Sequence, residues 1–221
     1  SVGGGWYNHQ HGSWGHIGGG RNNYMSSTHG VIMGGYDNSI FSSHATIGGG
    51  QSNRLYKAYT TIGGGHNSWI YAYASAIGGG MYNSAYGYMS ITAGGQYSRA
   101  MGSYATVNGG LWNWAYGEWA NVNGGNNNYI SSTHGTIGGG KDNRVYSGWS
   151  AVIGGIHNYI YKQHSHITGG NYNYIYGYSA SINGGCSHPR SYEYFSKQVV
   201  GVKMAGPSTA ASVHIATCAR W

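Results

Sequence analysis

Aliphatic residues recur along this chain with a fixed period of 15 residues. Val or Ile occupies the first position in eleven of twelve consecutive repeats, from Val2 to Ile167, with Thr92 as the exception. Gly fills the third and fourth positions of all twelve repeats, which cover residues 2–181 without insertion and are followed by a partial thirteenth from Ile182. A fixed period without insertions is typical of solenoids, in which each unit buries its apolar side by stacking on its neighbours.

Fifteen residues are too few for a pair of helices but suit one coil of a β-roll. Such a coil contains two short strands and two turns, and successive coils stack about 4.8 Å apart. We count positions 1 to 15 within each repeat, beginning at Val2. Position 1 and position 9, which is usually aliphatic or Ala, are assigned to the inward faces of the two strands. Position 14 is small in every repeat, as expected where the core is thin or backbones approach closely.

Two further columns are assigned to the turns. Gly at positions 3 and 4 supplies the positive φ of a tight turn without steric cost. Position 7 is Asn in ten repeats, with Ser68 and Ser98 in the other two. A stacked Asn column satisfies turn backbone groups and tolerates the left-handed region. The residues given this structural role are Asn8, Asn23, Asn38, Asn53, Asn83, Asn113, Asn128, Asn143, Asn158 and Asn173.

We therefore predict an all-β chain with a parallel β-roll of twelve 15-residue repeats in residues 1–185 and a C-terminal cap or tip in 186–221. In the C-terminal segment, 198–204 and 212–218 predict two strands joined by a turn. This hairpin would cover the last coil against edge-to-edge pairing, or form a tip that contacts a receptor. Cys186 and Cys218 form either a disulfide or two buried thiols, which the sequence leaves open.

Composition limits the classes of function. Only 7% of the residues are charged, a value that also occurs in disordered low-complexity segments, but the strict period argues against disorder. Eleven Lys and Arg against four Asp and Glu give a net charge of +7, which suits an anionic partner. The basic residues form no run, so nucleic-acid binding is not predicted. No apolar stretch approaches about 18 residues, so no transmembrane segment is predicted either.

The repeats resemble a known family. Residues 17–23 (IGGGRNN), 136–143 (TIGGGKDN) and 83–87 (NSAYG) are similar to the head repeats of trimeric autotransporter adhesins (YadA-like heads), and also to repeats in bacteriophage tail fibres. The resemblance covers residues 2–181. It implies a left-handed parallel β-roll, assembled as a homotrimer on a cell or virion surface, that attaches to surface glycans or proteins. Aromatic residues replace many of the usual Ser and Thr, so the family's ligands are not transferred.

A thin core gives independent support for an oligomer. Two modest aliphatic side chains per repeat bury little apolar area, and small cores are marginal without oligomerisation or covalent staples. Since the first repeat begins at Val2, with no capping sequence before it, we also expect the chain to be a piece of a longer protein.

Aromatic columns are the candidate binding surface. Positions 8 and 10 share the face opposite to position 9, so stacked coils turn position 10 into a ladder of rings. This ladder either lines a subunit interface or forms an exposed platform for sugar rings or protein, because Tyr offers area and a polar handle at low entropy cost. Its members are Phe41, Tyr56, Tyr71, Tyr86, Tyr116, Tyr146, Tyr161 and Tyr176; position 13 adds Trp14, His29, His44, Tyr59, Tyr104, Trp119, His134, Trp149 and His164.

Arginines recur in one column as well. Arg54, Arg99 and Arg144 all occupy position 8, three coils apart, which places them at intervals of about 14 Å along the axis. Such a row either meets an anionic polysaccharide or is simply solvated.

Histidine pairs offer a weaker candidate. His9 with His11, and His164 with His166, form His-x-His pairs that a threefold axis would have to gather into a metal site. Because such pairs otherwise lie side by side on a solvated face, we assign no metal and no cofactor.

Catalysis is not predicted. Glycoside cleavage generally needs two carboxylates on either side of the scissile bond. The acids are Asp37, Glu118, Asp142 and Glu193, and the two that share a column, Asp37 and Asp142, stand seven coils apart. We therefore predict a non-enzymatic adhesin or receptor-binding fibre protein, bacterial or phage. Ice binding is the alternative, although the variable Tyr, His, Trp and Arg columns differ from the uniform Thr column that ice binding favours.

Overall fold

A computed structural model describes residues 1–185 and Ser212–Val213. In these residues the chain forms only β-strands and turns, and it winds into a parallel β-solenoid with one coil per 15-residue repeat. The predicted fold class is thereby confirmed. Over the same residues, no helix has the length and apolar character needed to span a membrane.

Each coil contributes one two-residue strand to each of two parallel sheets. Sheet A is formed by positions 8 and 9 of successive coils: β1 (His9–Gln10), β3 (Tyr24–Met25), β5 (Ser39–Ile40), β7 (Arg54–Leu55), β9 (Trp69–Ile70), β11 (Ser84–Ala85), β13 (Arg99–Ala100), β15 (Trp114–Ala115), β17 (Tyr129–Ile130), β19 (Arg144–Val145), β21 (Tyr159–Ile160) and β23 (Tyr174–Ile175).

Sheet B is formed by position 15 of one repeat and position 1 of the next. Its strands are β2 (His16–Ile17), β4 (Val31–Ile32), β6 (Thr46–Ile47), β8 (Thr61–Ile62), β10 (Ala76–Ile77), β12 (Ile91–Thr92), β14 (Thr106–Val107), β16 (Asn121–Val122), β18 (Thr136–Ile137), β20 (Ala151–Val152), β22 (His166–Ile167), β24 (Ser181–Ile182) and β25 (Ser212–Val213).

The register follows the sequence period in both sheets. From β1 to β24, each residue pairs with the residue 15 positions further on, as in Ser84 with Arg99 and Ala76 with Ile91. A third column of parallel bridges joins position 5 of successive coils. Residues at the same repeat position therefore lie directly above one another along the solenoid.

The core lies between the two sheets. Position 1 is buried from Ile17 to Ile182, and position 9 is fully buried from Met25 to Ile175. The small residues at position 14 are buried beside them. The predicted inward columns are thus confirmed, except in the first coil, where Val2 remains exposed.

Glycine is required at position 4. Its φ lies between +86° and +104° in all twelve coils, and a Cβ on Gly80 would lie 2.1 Å from the carbonyl oxygen of Gly95 in the next coil. Position 3 differs, because a Cβ on Gly64, Gly79 or Gly94 would meet nothing within 4 Å. The positive φ of a tight turn, predicted for both glycines, is confirmed at position 4, whereas at position 3 the backbone is close to extended, with φ of +151° to +159° in five of the twelve coils.

The Asn column satisfies the turns as predicted, but with a different backbone conformation. Nδ2 of Asn38 donates to the carbonyl oxygens of Gly34 and Gly50, at 3.1 and 2.9 Å. Its Oδ1 accepts the backbone N–H of Asn53 at 3.0 Å. The expected use of the left-handed region by the position 7 Asn is wrong, because the non-glycine residues with positive φ, between +51° and +61°, stand at positions 6 and 13.

The C-terminal segment is described only at β25 (Ser212–Val213). This strand pairs in parallel with β24 and extends sheet B by one strand. It lies within one of the two stretches predicted as strands. The other stretch, 198–204, and both Cys186 and Cys218 lie outside the described residues, so the hairpin and the disulfide stay predictions.

Candidate functional site on the outer face of sheet A

Strand geometry places positions 8 and 10 on the outside of sheet A. Position 9, between them in sequence, is buried in the core, and side chains alternate along a strand. The position 10 side chains are exposed or half-buried, and most of those at position 8 are half-buried. Sheet A therefore presents two neighbouring columns of side chains, which we call the outer face of sheet A.

The rings at position 10 stack as predicted. In the first run, the ring centroids of Phe41, Tyr56, Tyr71 and Tyr86 are 5.2, 4.6 and 4.8 Å apart, and the ring planes are within 11° of parallel. A second run joins Tyr146, Tyr161 and Tyr176 at 5.1 and 4.8 Å. Because neighbouring rings cover each other's faces, these runs present ring edges and hydroxyl groups to solvent.

Where position 10 is Ser, the ring of a Tyr at position 8 occupies the gap in the ladder. Tyr24 lies between the rings of His11 and Phe41, at centroid distances of 5.8 and 5.7 Å. Tyr129 lies between Tyr116 and Tyr146 in the same manner, at 5.4 and 6.0 Å. Sequence analysis missed this role, although the signal was present: both tyrosines stand two residues before a Ser at position 10.

Burial within the ladder raises the pKa of two of its phenols. Burial, reinforced by the neighbouring hydroxyls of Tyr56 and Tyr86, raises the pKa of Tyr71 to about 12. Burial and the adjacent Tyr176 and Tyr146 raise the pKa of Tyr161 to about 12 in the same way. Tyr71 and Tyr161 therefore hold their phenolic protons more tightly than free tyrosine, and their hydroxyl groups keep their hydrogen-bond donors.

The arginine column is in register as predicted, but its members have different surroundings. Nη2 of Arg54 lies 3.4 Å from Oδ2 of Asp37, at position 6 of the preceding coil, so a carboxylate partly neutralises this cation. Arg99 is exposed, and its guanidinium carbon lies 5.5 Å from the centroid of the Trp114 ring. The row thus contains one ion-paired arginine and one that rests on an aromatic ring.

Arg144 is held by backbone and by a ring instead of a carboxylate. Its Nη1 donates to the backbone carbonyls of Asn127 and Asn143, the latter at 3.2 Å. Its guanidinium carbon lies 6.0 Å from the Tyr129 ring centroid. Beside it is a shallow cleft of about 300 Å³, lined by Trp114, Asn127, Tyr129, Arg144 and Tyr146.

Aromatic columns also cover both turns. At position 13, rings stack in short runs, including His29 on His44 at 4.8 Å and Tyr104 on Trp119 at 4.1 Å. At position 6, a column missed by sequence analysis includes Tyr97 on Trp112 at 4.4 Å. Bulky residues rarely adopt positive φ, and stacking on the next coil offsets part of that cost.

Three of the paired histidines and two of the acids, Asp37 and Asp142, contact other side chains. His9 and His11 stack on each other at 6.3 Å, and Nε2 of His166 lies 2.9 Å from Oγ of Ser181. Within the described part of the chain, no group of three or more His, Cys, Asp or Glu is arranged to hold a metal ion. Asp142 accepts a hydrogen bond from Nδ2 of Asn127 at 2.5 Å and lies 3.7 Å from Nε2 of His157.

The outer face of sheet B differs from that of sheet A. It is formed by positions 15 and 2, which flank the buried position 1. Over the nine coils from Val31 to Ile153, these two positions hold no charged and no aromatic residue. Thr or Ala is common at position 15, and Gly at position 2, with Met33, Ile91 and Ile153 exposed at 64, 44 and 60%.

No protein-family model matches this chain, and no curated protein is similar to it in sequence.

Proposed function

We propose that this protein is a non-enzymatic attachment protein that binds surface glycans or proteins through the outer face of sheet A. The observation that carries the proposal is the segregation of side chains between the faces. Aromatic ladders and arginines occupy sheet A, whereas the outer face of sheet B carries no charged and no aromatic residue over nine coils. Tyr, Trp and Arg are the residues enriched where proteins bind partners. A bacterial adhesin and a phage tail fibre are both consistent with this role, on a cell or virion surface.

The outer face of sheet B is proposed as the packing surface of a homotrimer. Met33, Ile91 and Ile153 are exposed there without any neighbouring charge, as in the apolar centre of an interface. Gly64 and Gly79, beside this face, have open space where a side chain would stand, so another copy can approach closely. The similarity of the repeats to YadA-like heads sets the expected number of copies at three.

The mass in solution tests the assembly. Light scattering of the full chain is expected to give about 70 kDa, three times the 23.5 kDa of one chain. Binding is then measured on a glycan array and on whole bacterial and animal cells. Tyr161→Ser on sheet A is expected to weaken binding of the protein to the glycans or cells. Thr61→Ser on sheet B is the matched control and should bind as the parent protein does. A monomer in solution would contradict the proposed assembly.

Ice binding is the second candidate, because one part of sheet B is regular and short-chained. Thr46 and Thr61 lie on neighbouring strands, next to Gly48, Gly63 and Gly78 at position 2. The Tyr, Trp and Arg columns, whose variability argued against ice binding, lie on sheet A and the turns. They therefore do not interrupt the Thr and Gly array on sheet B. Met33, Ile91 and Ile153 interrupt it, which ranks ice binding second. Thermal hysteresis from a monomeric protein, lost in Thr61→Tyr, would favour this candidate.

A further inference from the structure

We infer that the cleft beside Arg144 binds a carboxylated sugar of an acidic polysaccharide lying along sheet A. The inference names a ligand class for the face described above, and it rests on the proposed attachment function. Three features carry it: an interruption of the ring stack, an arginine that no carboxylate neutralises, and a second cation further along the same column.

The ring stack is interrupted at this cleft. In the runs from Phe41 to Tyr86 and from Tyr146 to Tyr176, near-parallel rings cover each other's faces. Between these runs, the Trp114 and Tyr129 rings meet at 70°, with centroids 6.3 Å apart. Tyr129 is also tilted by 48° and 51° from Tyr116 and Tyr146. Tilted rings leave apolar ring surface toward the cleft, and sugar sites commonly combine such surface with a few placed polar groups.

Arg144 is fixed in place but keeps donors for a ligand. The hydrogen bonds to the carbonyls of Asn127 and Asn143 use Nη1, which leaves Nη2 and Nε. Among residues 1–185, the ion pairs are Arg54 with Asp37 and His157 with Asp142, so Arg144 has no carboxylate partner there. A planar guanidinium matches a carboxylate in two parallel hydrogen bonds, and a held side chain loses less entropy on binding.

The column itself offers a matched comparison. Position 6 of the preceding coil is Asp37 for Arg54 but Asn127 for Arg144. The two arginines share strand position and register. Arg54 meets the Asp37 carboxylate, whereas Arg144 donates to the backbone carbonyl of Asn127, whose side-chain amide is hydrogen-bonded to Asp142. Arg54 is therefore the internal control for the charge of Arg144.

A second cation extends the site along the solenoid axis. Arg99 lies three coils before Arg144, about 14 Å along the axis, and rests over Trp114. The interval is spanned by the rings of Trp114 and Tyr129. A single-stranded nucleic acid carries a phosphate on every nucleotide and calls for a denser basic groove. Widely spaced cations separated by aromatic surface instead fit a polysaccharide with acidic residues at intervals.

Titration calorimetry of the full chain tests the site. Hexagalacturonate is the probe, and cellohexaose, a heparin-derived hexasaccharide and hexathymidylate are compared at the same ionic strength. We expect binding of the uronate but not of cellohexaose, and an about tenfold loss in Arg144→Gln. Arg54→Gln is expected to stay within about twofold, and Arg144→Lys to fall between, because it keeps the charge but loses the fork.

Several outcomes would overturn the inference. Equal losses in Arg144→Gln and Arg54→Gln would show a general effect of net charge. Tighter binding of hexathymidylate would assign the cleft to nucleic acid, and tighter binding of the heparin fragment would assign it to sulfate groups. Circular dichroism of each variant establishes that the fold is retained.

Cell attachment separates this inference from the proposed function. Beads coated with the protein are tested on the same cells as above. If beads attach through sheet A while the uronate does not bind, the inference about the cleft fails alone. If the uronate binds and beads attach to no cell or glycan surface, the attachment function fails while the cleft assignment stands.

Discussion

The outer faces of sheet A and sheet B are built from the same 15-residue coil, yet they carry opposite kinds of side chain. Sheet A presents stacked rings and arginines, as at Tyr71 and Arg144, whereas sheet B presents Thr46, Gly48 and similar short residues. The strands of both sheets are two residues long and share one core. The buried columns and the turns maintain the coil. The residues at the outward positions can therefore vary without changing the backbone. Each face is free to specialise.

A charge on sheet B is expected to have the largest effect, because it would prevent assembly of the proposed trimer. Ile153 is 60% exposed in a single chain, so Ile153→Lys should fold normally but place an unpaired charge in the proposed interface. We expect the mass measured by light scattering to fall from about 70 kDa to the 23.5 kDa of one chain. Tyr86→Lys on sheet A, also at an exposed position, is the control and should stay assembled. Loss of assembly in the control alone would move the interface to sheet A.

The turns and the core support both faces, so a substitution that disrupts a turn should destabilise both faces together. In Gly80→Ala, the new Cβ would lie 2.1 Å from the oxygen of Gly95 at a φ of +86°. We expect a loss of about 2 to 4 kcal/mol in the free energy of unfolding, from strain and the backbone clash. Gly148→Ala, whose Cβ would meet its nearest atom at 3.2 Å, should cost less than about 1 kcal/mol. Chemical denaturation measures both, and similar losses would contradict this account.

A smaller effect, an increase in stability, is expected from completing the Asn column that supports both faces. Ser68 and Ser98 interrupt the Asn column, and their hydroxyl oxygens are buried without a hydrogen-bond partner. Ser68→Asn restores donors to two turn carbonyls and an acceptor for the N–H of the next coil, so we expect a gain of about 1 kcal/mol. Thermal unfolding should show a higher Tm than in the exposed control Ser13→Asn. A lower Tm in Ser68→Asn would mean that the turn at this coil cannot accommodate the longer amide.

The parts predicted from the sequence are those that depend on a single repeat position. Ile32 and Ile40 are buried because every coil buries the same two positions, and Asn38 bonds the turn because every Asn above and below does the same. The repeat position alone determines whether such a residue is buried or bonds the turn. The fold and the position 10 ladder were predictable for this reason.

The missed features depend on two positions at once. Tyr129 leans into the ladder because Ser131, two residues later, leaves room there. Arg54 and Arg144 differ because position 6 of the coil before holds Asp37 in one case and Asn127 in the other. Positive φ at position 6 was hidden by its varied residues, since Tyr and Trp there are stabilised by stacking on the next coil.

Alkaline pH is expected to give the smallest effect. Among residues 1–185, the phenols with raised pKa all lie on sheet A. Burial and neighbouring hydroxyls raise the pKa of Tyr71 from 10.0 to about 12, so the folded state holds this proton more tightly than the unfolded chain. The associated stability is complete below pH 10 and is lost as pH rises toward 12. We expect Tyr71→Phe to unfold less steeply with pH over this window, while Thr61→Ser on sheet B follows the parent protein. Tyrosinate absorbance and circular dichroism followed together would measure this, and identical slopes in all three proteins would show that the phenols titrate only after unfolding.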